Sequence, residues 1–198
     1  PLTRGDPPPD GAEPYYIGRI SVADQAQNPV VVDWRAPVAE PFYRASASDP
    51  MGLVRRRHFA VRGRALLGMD DELFGSAAEA LDHGSVQGHG ALVAALEERR
   101  SGKLSDIVAT IQGEQDEVIR APLPGVLIVQ GGPGTGKTVV ALHRAAYLLY
   151  THRFPLEGQG VLVVGPNRLF LSYIDQVLPS LGEAGVHTAV IGDLIPDT

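Results

Sequence analysis

Residues 131 to 138 read Gly-Gly-Pro-Gly-Thr-Gly-Lys-Thr and match the pattern GxxxxGK[ST]. Each residue type there has a task in holding a nucleoside triphosphate. The glycines let the backbone curl so that successive N–H groups converge on phosphate oxygens, the Lys137 ammonium reaches the β/γ-phosphates, and the Thr138 hydroxyl is placed for Mg²⁺. Gly132, Gly134, Thr135, Gly136, Lys137, Thr138 and Val139 are the residues expected against the nucleotide, with Lys137 and Thr138 also the catalytic pair and Thr138 the metal contact.

Such a loop works only between a strand that anchors it and a helix whose positive N-terminal end faces the phosphates. Both are legible. Gly125-Val126-Leu127-Ile128-Val129-Gln130 is a β-branched apolar run of the kind buried on both faces of a parallel sheet, and Thr138 to Tyr150 carries apolar residues over much of a helix. Beyond it, Val161 to Gly165 predicts a second buried strand, Pro166-Asn167 opens a helix through Leu178, and Thr188 to Ile191 predicts a third strand. The β-α-β-α-β order predicts an α/β fold, a parallel sheet with the phosphate loop at its carboxyl edge. Asn167 is expected to cap its helix. Asp193 follows an apolar strand, but no Glu follows it as an acid pair would require.

The preceding half has a different period. Tyr15 to Val22 and Pro29 to Trp34 predict strands joined by a polar turn over Ala23 to Asn28; after interruptions at Pro37 and Pro41, Val54 to Val61 and Ala65 to Leu67 predict further short strands. In Asp33-Trp34-Arg35 the charged pair flanks a tryptophan, ordinary material for an ion pair and a packed ring. Gly75 to Gly90 reads as a loop, with His83 and His89 as loop residues rather than metal ligands, and Ala91 to Arg100 and Lys103 to Arg120 read as helices. The predicted organisation is a linker over 1–14, a β-rich subregion over 15–75, a connection and helix over 76–105, and the first part of an ATP-binding domain over 106–198.

Composition narrows the class. The 198 residues are 44% hydrophobic and 20% charged, as in soluble globular proteins, and no apolar run approaches the roughly 20 residues of a membrane span. Pro1 to Asp10 lacks the basic-then-apolar layout of a signal peptide, so a cytoplasmic protein is expected. With no cysteine there are no disulfides, thiol nucleophiles or Cys-based zinc sites. The net charge of −6 supplies no global field for nucleic acid; the local candidate is Arg55-Arg56-Arg57-His58 with Arg62 and Arg64, read as the solvated side of a strand or turn. Both ends of the sequence read as cut, so a monomeric fragment is expected.

Gln115 in Ile111-Gln112-Gly113-Glu114-Gln115 resembles the upstream glutamine motif of UvrD-like superfamily 1 helicases. That resemblance implies that the Gln115 amide reads adenine, matching its exocyclic amine and ring nitrogen. The run Thr138-Val139-Val140-Ala141-Leu142-His143-Arg144 is similar to the helix following the loop in that superfamily, although Val139 stands where its members commonly carry Arg. Tyr16-Ile17-Gly18-Arg19, Asp33-Trp34-Arg35-Ala36-Pro37, Pro41-Phe42-Tyr43, Asp106 to Gln112 and Gly165-Pro166-Asn167 resemble the HelD branch, bacterial motor-like ATPases that bind and recycle RNA polymerase.

The resemblance spans about residues 15 to 192 and implies a partial RecA-like P-loop NTPase sheet preceded by a small β-rich subregion. It further implies ATP and Mg²⁺ as cofactors, RNA polymerase core as partner, and ATP hydrolysis in the intact protein. The Walker B acid pair, the second RecA-like domain with its arginines and the family's leading coiled coil find no counterpart in this sequence, so this piece is expected to bind nucleotide weakly and to hydrolyse almost none. His143 and Arg144 are read as helix packing and capping residues. Two alternatives stay open: a DNA helicase proper, and a polymerase-docking module for which nucleotide acts as a switch.

Overall fold

Three consecutive valines give Pro29–Asp33 its extended backbone, because β-branched side chains pack well on a pleated surface. In the computed structural model, which describes residues 14–62, 64–75, 111–156, 158–177 and 185–194, this segment is the middle strand of a small sheet. We number it β3; β1 is Ile17–Gly18 and β2 is Val22–Ala23. β2 pairs with β3 antiparallel and β1 pairs with it parallel. The long first strand expected from Tyr15 to Val22 is therefore two short ones. The chain bends at Arg19 and Ile20, which places its two halves on opposite edges of β3. The expected turn is present: Asp24 Oδ1 accepts from the N–H groups of Ala26 and Asn28 at 2.8 and 2.9 Å.

Past β3 the two prolines start helices rather than merely interrupting strands. Pro37–Ala39 is a 3-10 turn and α1 is Glu40–Arg44, each with proline in its first positions, where a missing N–H costs nothing. Between β3 and that turn, Asp33 and Arg35 form a bidentate ion pair at 2.7 and 2.9 Å, both buried, beside the fully buried Trp34. The aspartate also accepts the Arg35 N–H at 2.9 Å, so the pair locks a turn where a continued strand was expected.

Of the next two strands, the second is longer than its apolar residues suggest. β4 is Arg55–Arg62 and β5 is Ala65–Leu73, an antiparallel hairpin in which Arg56 faces Glu72, Arg57 faces Asp71 and His58 faces Asp70. Arg57 reaches both Asp71 oxygens at 2.5 Å; Arg56 holds Glu72 at 2.5 and 3.0 Å and donates to the carbonyls of Phe42 and Ala45. The basic run is thus neutralised across the strands rather than simply solvated. His58 packs on the Phe42 ring at 5.1 Å; burial, followed by the Arg56 charge, lowers its pKa from the ordinary value. Hydrogen bonding from Arg57 lowers that of Asp71.

The chain divides into two compact units, residues 1–111 and 112–198. In the second, α2 is Gly113–Arg120, α3 Lys137–Thr151, α4 Arg153–Leu156, β6 Val161–Gly165, α5 Arg168–Val177 and β7 Val186–Val190, with a 3-10 turn at Ile191–Leu194. The helix expected from Lys103 onward starts, within the described residues, only at Gly113, because Gln112 is extended at φ −86° and ψ 160°. Ile119, Val140, Leu142, Ala146, Leu149, Leu171 and Ile174 are buried among its core residues. The remaining expected connection and helix, with His83 and His89, lie outside the described residues.

β6 and β7 pair in parallel around α5, so the β-α-β unit after the loop forms as expected. The anchoring strand does not. Residues 125–130 form no strand, and Val126 and Ile128 are 91% and 77% exposed. β-branched composition supplies extended propensity, but strand N–H and C=O groups need a neighbouring strand, and among the described residues none bonds this run. The architecture is mixed α/β with small sheets. Among the described residues no helix is long and apolar enough to cross a membrane.

Candidate nucleotide-binding site

Two glycines give the loop its curl. Gly134 and Gly136 have φ of 79° and 86°, left-handed values that an L side chain resists. Gly136 is the residue capping α3, and Val140 N donates to its carbonyl at 2.9 Å as the first bond of that helix. The turn is tied from inside: the Thr135 hydroxyl donates to Gly132 O at 2.9 Å. Lys137, in the first turn of α3, folds its ammonium back over the loop and donates to the carbonyls of Gly131 and Gly132 at 2.8 and 2.6 Å. Those bonds hold a cation over the curled backbone at a helix N-terminus, where anionic oxygens are favoured. Thr138 is exposed beside it; Val139 gives its carbonyl to His143 Nδ1 at 2.8 Å.

Gln115 comes from α2, yet stands at the loop. Its Oε1 accepts the Gln112 N–H at 3.2 Å, and its Nε2 lies 3.5 Å from Thr135 O. The would-be Cβ of Gly136 is 3.1 Å from the same nitrogen. Sequence separation hid this contact; the packing of α2 on α3 produces it. An amide has two donor hydrogens and two acceptor lone pairs, so these contacts leave it one of each for a base edge. Gln112 is exposed ahead of α2 and serves the helix start.

The other singled-out residues have structural partners. Buried His143 donates its Nδ1–H to Val139 O, which fixes its tautomer. Arg144 donates to the carbonyls of Val118, Ile119, Ala121 and Pro122, capping the end of α2, and desolvation lowers its pKa. Buried Asp116 pairs with Arg120 at 2.9 Å, and that guanidinium lies 5.3 Å from the Tyr147 ring centroid. Asn167 Oδ1 accepts the Phe170 N–H at 2.8 Å, the expected cap of α5. Asp193 forms an exposed pair with Arg168 at 3.0 Å.

Sequence reasoning missed the Arg–acid ladder of β4 and β5 as a unit. Its signal was present: Arg55-Arg56-Arg57-His58 set antiparallel against Leu73-Glu72-Asp71-Asp70 brings opposite charges face to face.

Residues 2–87 match the family model described as DNA helicase IV HelD, N-terminal domain, so this part of the chain is similar to a helicase family. More particularly, that match supports a HelD-like protein. The match covers the ion-paired Asp33–Arg35 turn and the β4–β5 hairpin and ends ahead of the phosphate loop. No curated protein matches the chain.

Proposed function

We propose that this chain is the ATP-binding part of a HelD-like, UvrD-type motor ATPase that binds bacterial RNA polymerase and uses ATP to release or recycle it. The observation that carries the nucleotide reading is the loop itself: two left-handed glycines and the Lys137 ammonium gathered at the N-terminus of α3. On nucleotide binding, the Lys137 ammonium exchanges the Gly131 and Gly132 carbonyls for phosphate oxygens. Thr138 would hold Mg²⁺ through its hydroxyl, and the ion would neutralise charge developing on the phosphates. Gln115, already beside Thr135 and Gly136, turns its spare donor and acceptor to adenine. The in-line hydrolysis itself needs an acid and arginines, which this reading assigns to other parts of the motor.

Titration calorimetry with MgATP tests the nucleotide half: Lys137→Ala abolishes binding, and affinity equal to wild type sinks the assignment. Co-elution with core RNA polymerase on a sizing column, with and without ATP, tests the partner: a stable complex weakened by ATP is expected, and no complex refutes polymerase recycling. The matched family's description as a DNA helicase favours strand separation as a second reading. ATPase activity stimulated by DNA without any polymerase complex would establish it. The neutralised Arg56 and Arg57 side chains give that reading no help from the β4–β5 hairpin.

A further inference from the structure

We infer that Arg144 is a positioning residue for base recognition: by holding the end of α2 on α3, it keeps the Gln115 amide at the edge of the phosphate loop. The inference rests on the nucleotide reading above and extends it to a residue remote from the ligand. α2 spans only Gly113–Arg120, too short to persist in water without tertiary support. Its last carbonyls are short of backbone donors, Val118 O taking only the long Ala121 N–H bond of 3.4 Å. Arg144 Nη1 adds donors to Val118 O at 3.1 Å and Ile119 O at 3.2 Å and, just past the helix, to Ala121 O at 2.7 Å, while Nη2 donates to Pro122 O at 2.9 Å.

At the opposite end of the same helix, Gln115 meets Thr135 O and the Gly136 position. The long 3.5 Å Gln115 contact is too weak to hold α2 by itself, so the four-carbonyl clamp sets where the amide stands. Arg144 and Lys137 belong to one helix, α3, which makes that helix a ruler between phosphate loop and base reader. Lysine cannot replace the fork, since one ammonium with three hydrogens cannot serve four carbonyls reached from two separate nitrogens.

The test compares MgATP with Mg-tripolyphosphate, which has the phosphates and no base, by calorimetry on wild type, Arg144→Lys, Gln115→Ala and the double variant. Expected is an ATP affinity about tenfold lower in Arg144→Lys, tripolyphosphate affinity within about twofold of wild type, and no further ATP loss when Gln115→Ala is already present. Equal losses for both ligands, or the same ATP loss in the Gln115→Ala background, overturn the positioning role. If wild type binds neither ligand, the nucleotide reading itself fails.

Hydrogen exchange on the wild-type protein covers the case in which Arg144→Lys does not fold. ATP should slow the amides of residues 113–121 more than tripolyphosphate does; equal protection by both overturns the proposal.

Discussion

Alanine at Gly136 is the sharpest perturbation of the loop. Gly136 sits at φ 86° and ψ 12°, directly ahead of α3. Left-handed backbone costs an L-residue about 1–2 kcal/mol, and the loop sheds that strain by uncurling. Because the phosphates require the curled form, the strain appears as lost affinity of about 5- to 30-fold. A Cβ there also comes to 3.1 Å from Gln115 Nε2. That amide ends a flexible side chain and can retreat, so stability changes little while the base reader is displaced.

Gly134 is the internal control, since its φ is 79° and its would-be Cβ meets nothing within 4 Å. Gly134→Ala and Gly136→Ala should therefore weaken tripolyphosphate binding alike, and Gly136→Ala should weaken MgATP further. Calorimetry with both ligands reads the effect, with thermal unfolding confirming the fold. Wild-type affinity in both variants would show that the curl is not needed for phosphate. Identical losses for ATP in the two variants would remove Gln115 from base recognition.

Asp33→Asn should destabilise the first unit by about 3–5 kcal/mol, read by urea unfolding, because it leaves the Arg35 guanidinium buried without its carboxylate; a loss below about 1 kcal/mol would mean the pair is relieved by water. Arg56→Ala should cost about 2–3 kcal/mol and Arg57→Ala under about 1 kcal/mol, since Arg56 also serves the carbonyls of Phe42 and Ala45 and lies over the Phe74 ring, whereas Arg57 has an exposed bidentate pair. Reversed order in denaturant titrations contradicts that assignment. Burial keeps the His58 pKa below its ordinary 6.5, so its neutral form stabilises the fold fully above pH 6.5, and that contribution is lost as pH falls through the folded value. Asp71, lowered from 3.8 by Arg57, adds a second loss in the same direction at lower pH. His58→Gln should flatten the first loss in a series of melting temperatures; an unchanged profile assigns it to another group.

Side-chain chemistry that acts locally was legible from residue order alone. The helix after the loop, the cap at Asn167 and the buried pair around Trp34 all follow from propensity, spacing or charge within a few residues. The phosphate-loop pattern is local in the same sense, since glycine alone tolerates the backbone of Gly134 and Gly136. Three things depended on tertiary context. Residues 125–130 have strand composition but form no strand, because pairing depends on a neighbour that local sequence does not name. The β4–β5 register turned an apparent basic patch into a ladder of ion pairs.

Gln115 and Arg144 show the third case. Their identities suit an amide reader and a helix cap, and sequence by itself determined those capacities through the donors and acceptors each side chain carries. Their joint placement, one at each end of α2 against α3 and its loop, was decided only by tertiary packing. An eight-residue helix has no stable position of its own in water, so the contacts that bury it choose where its side chains stand.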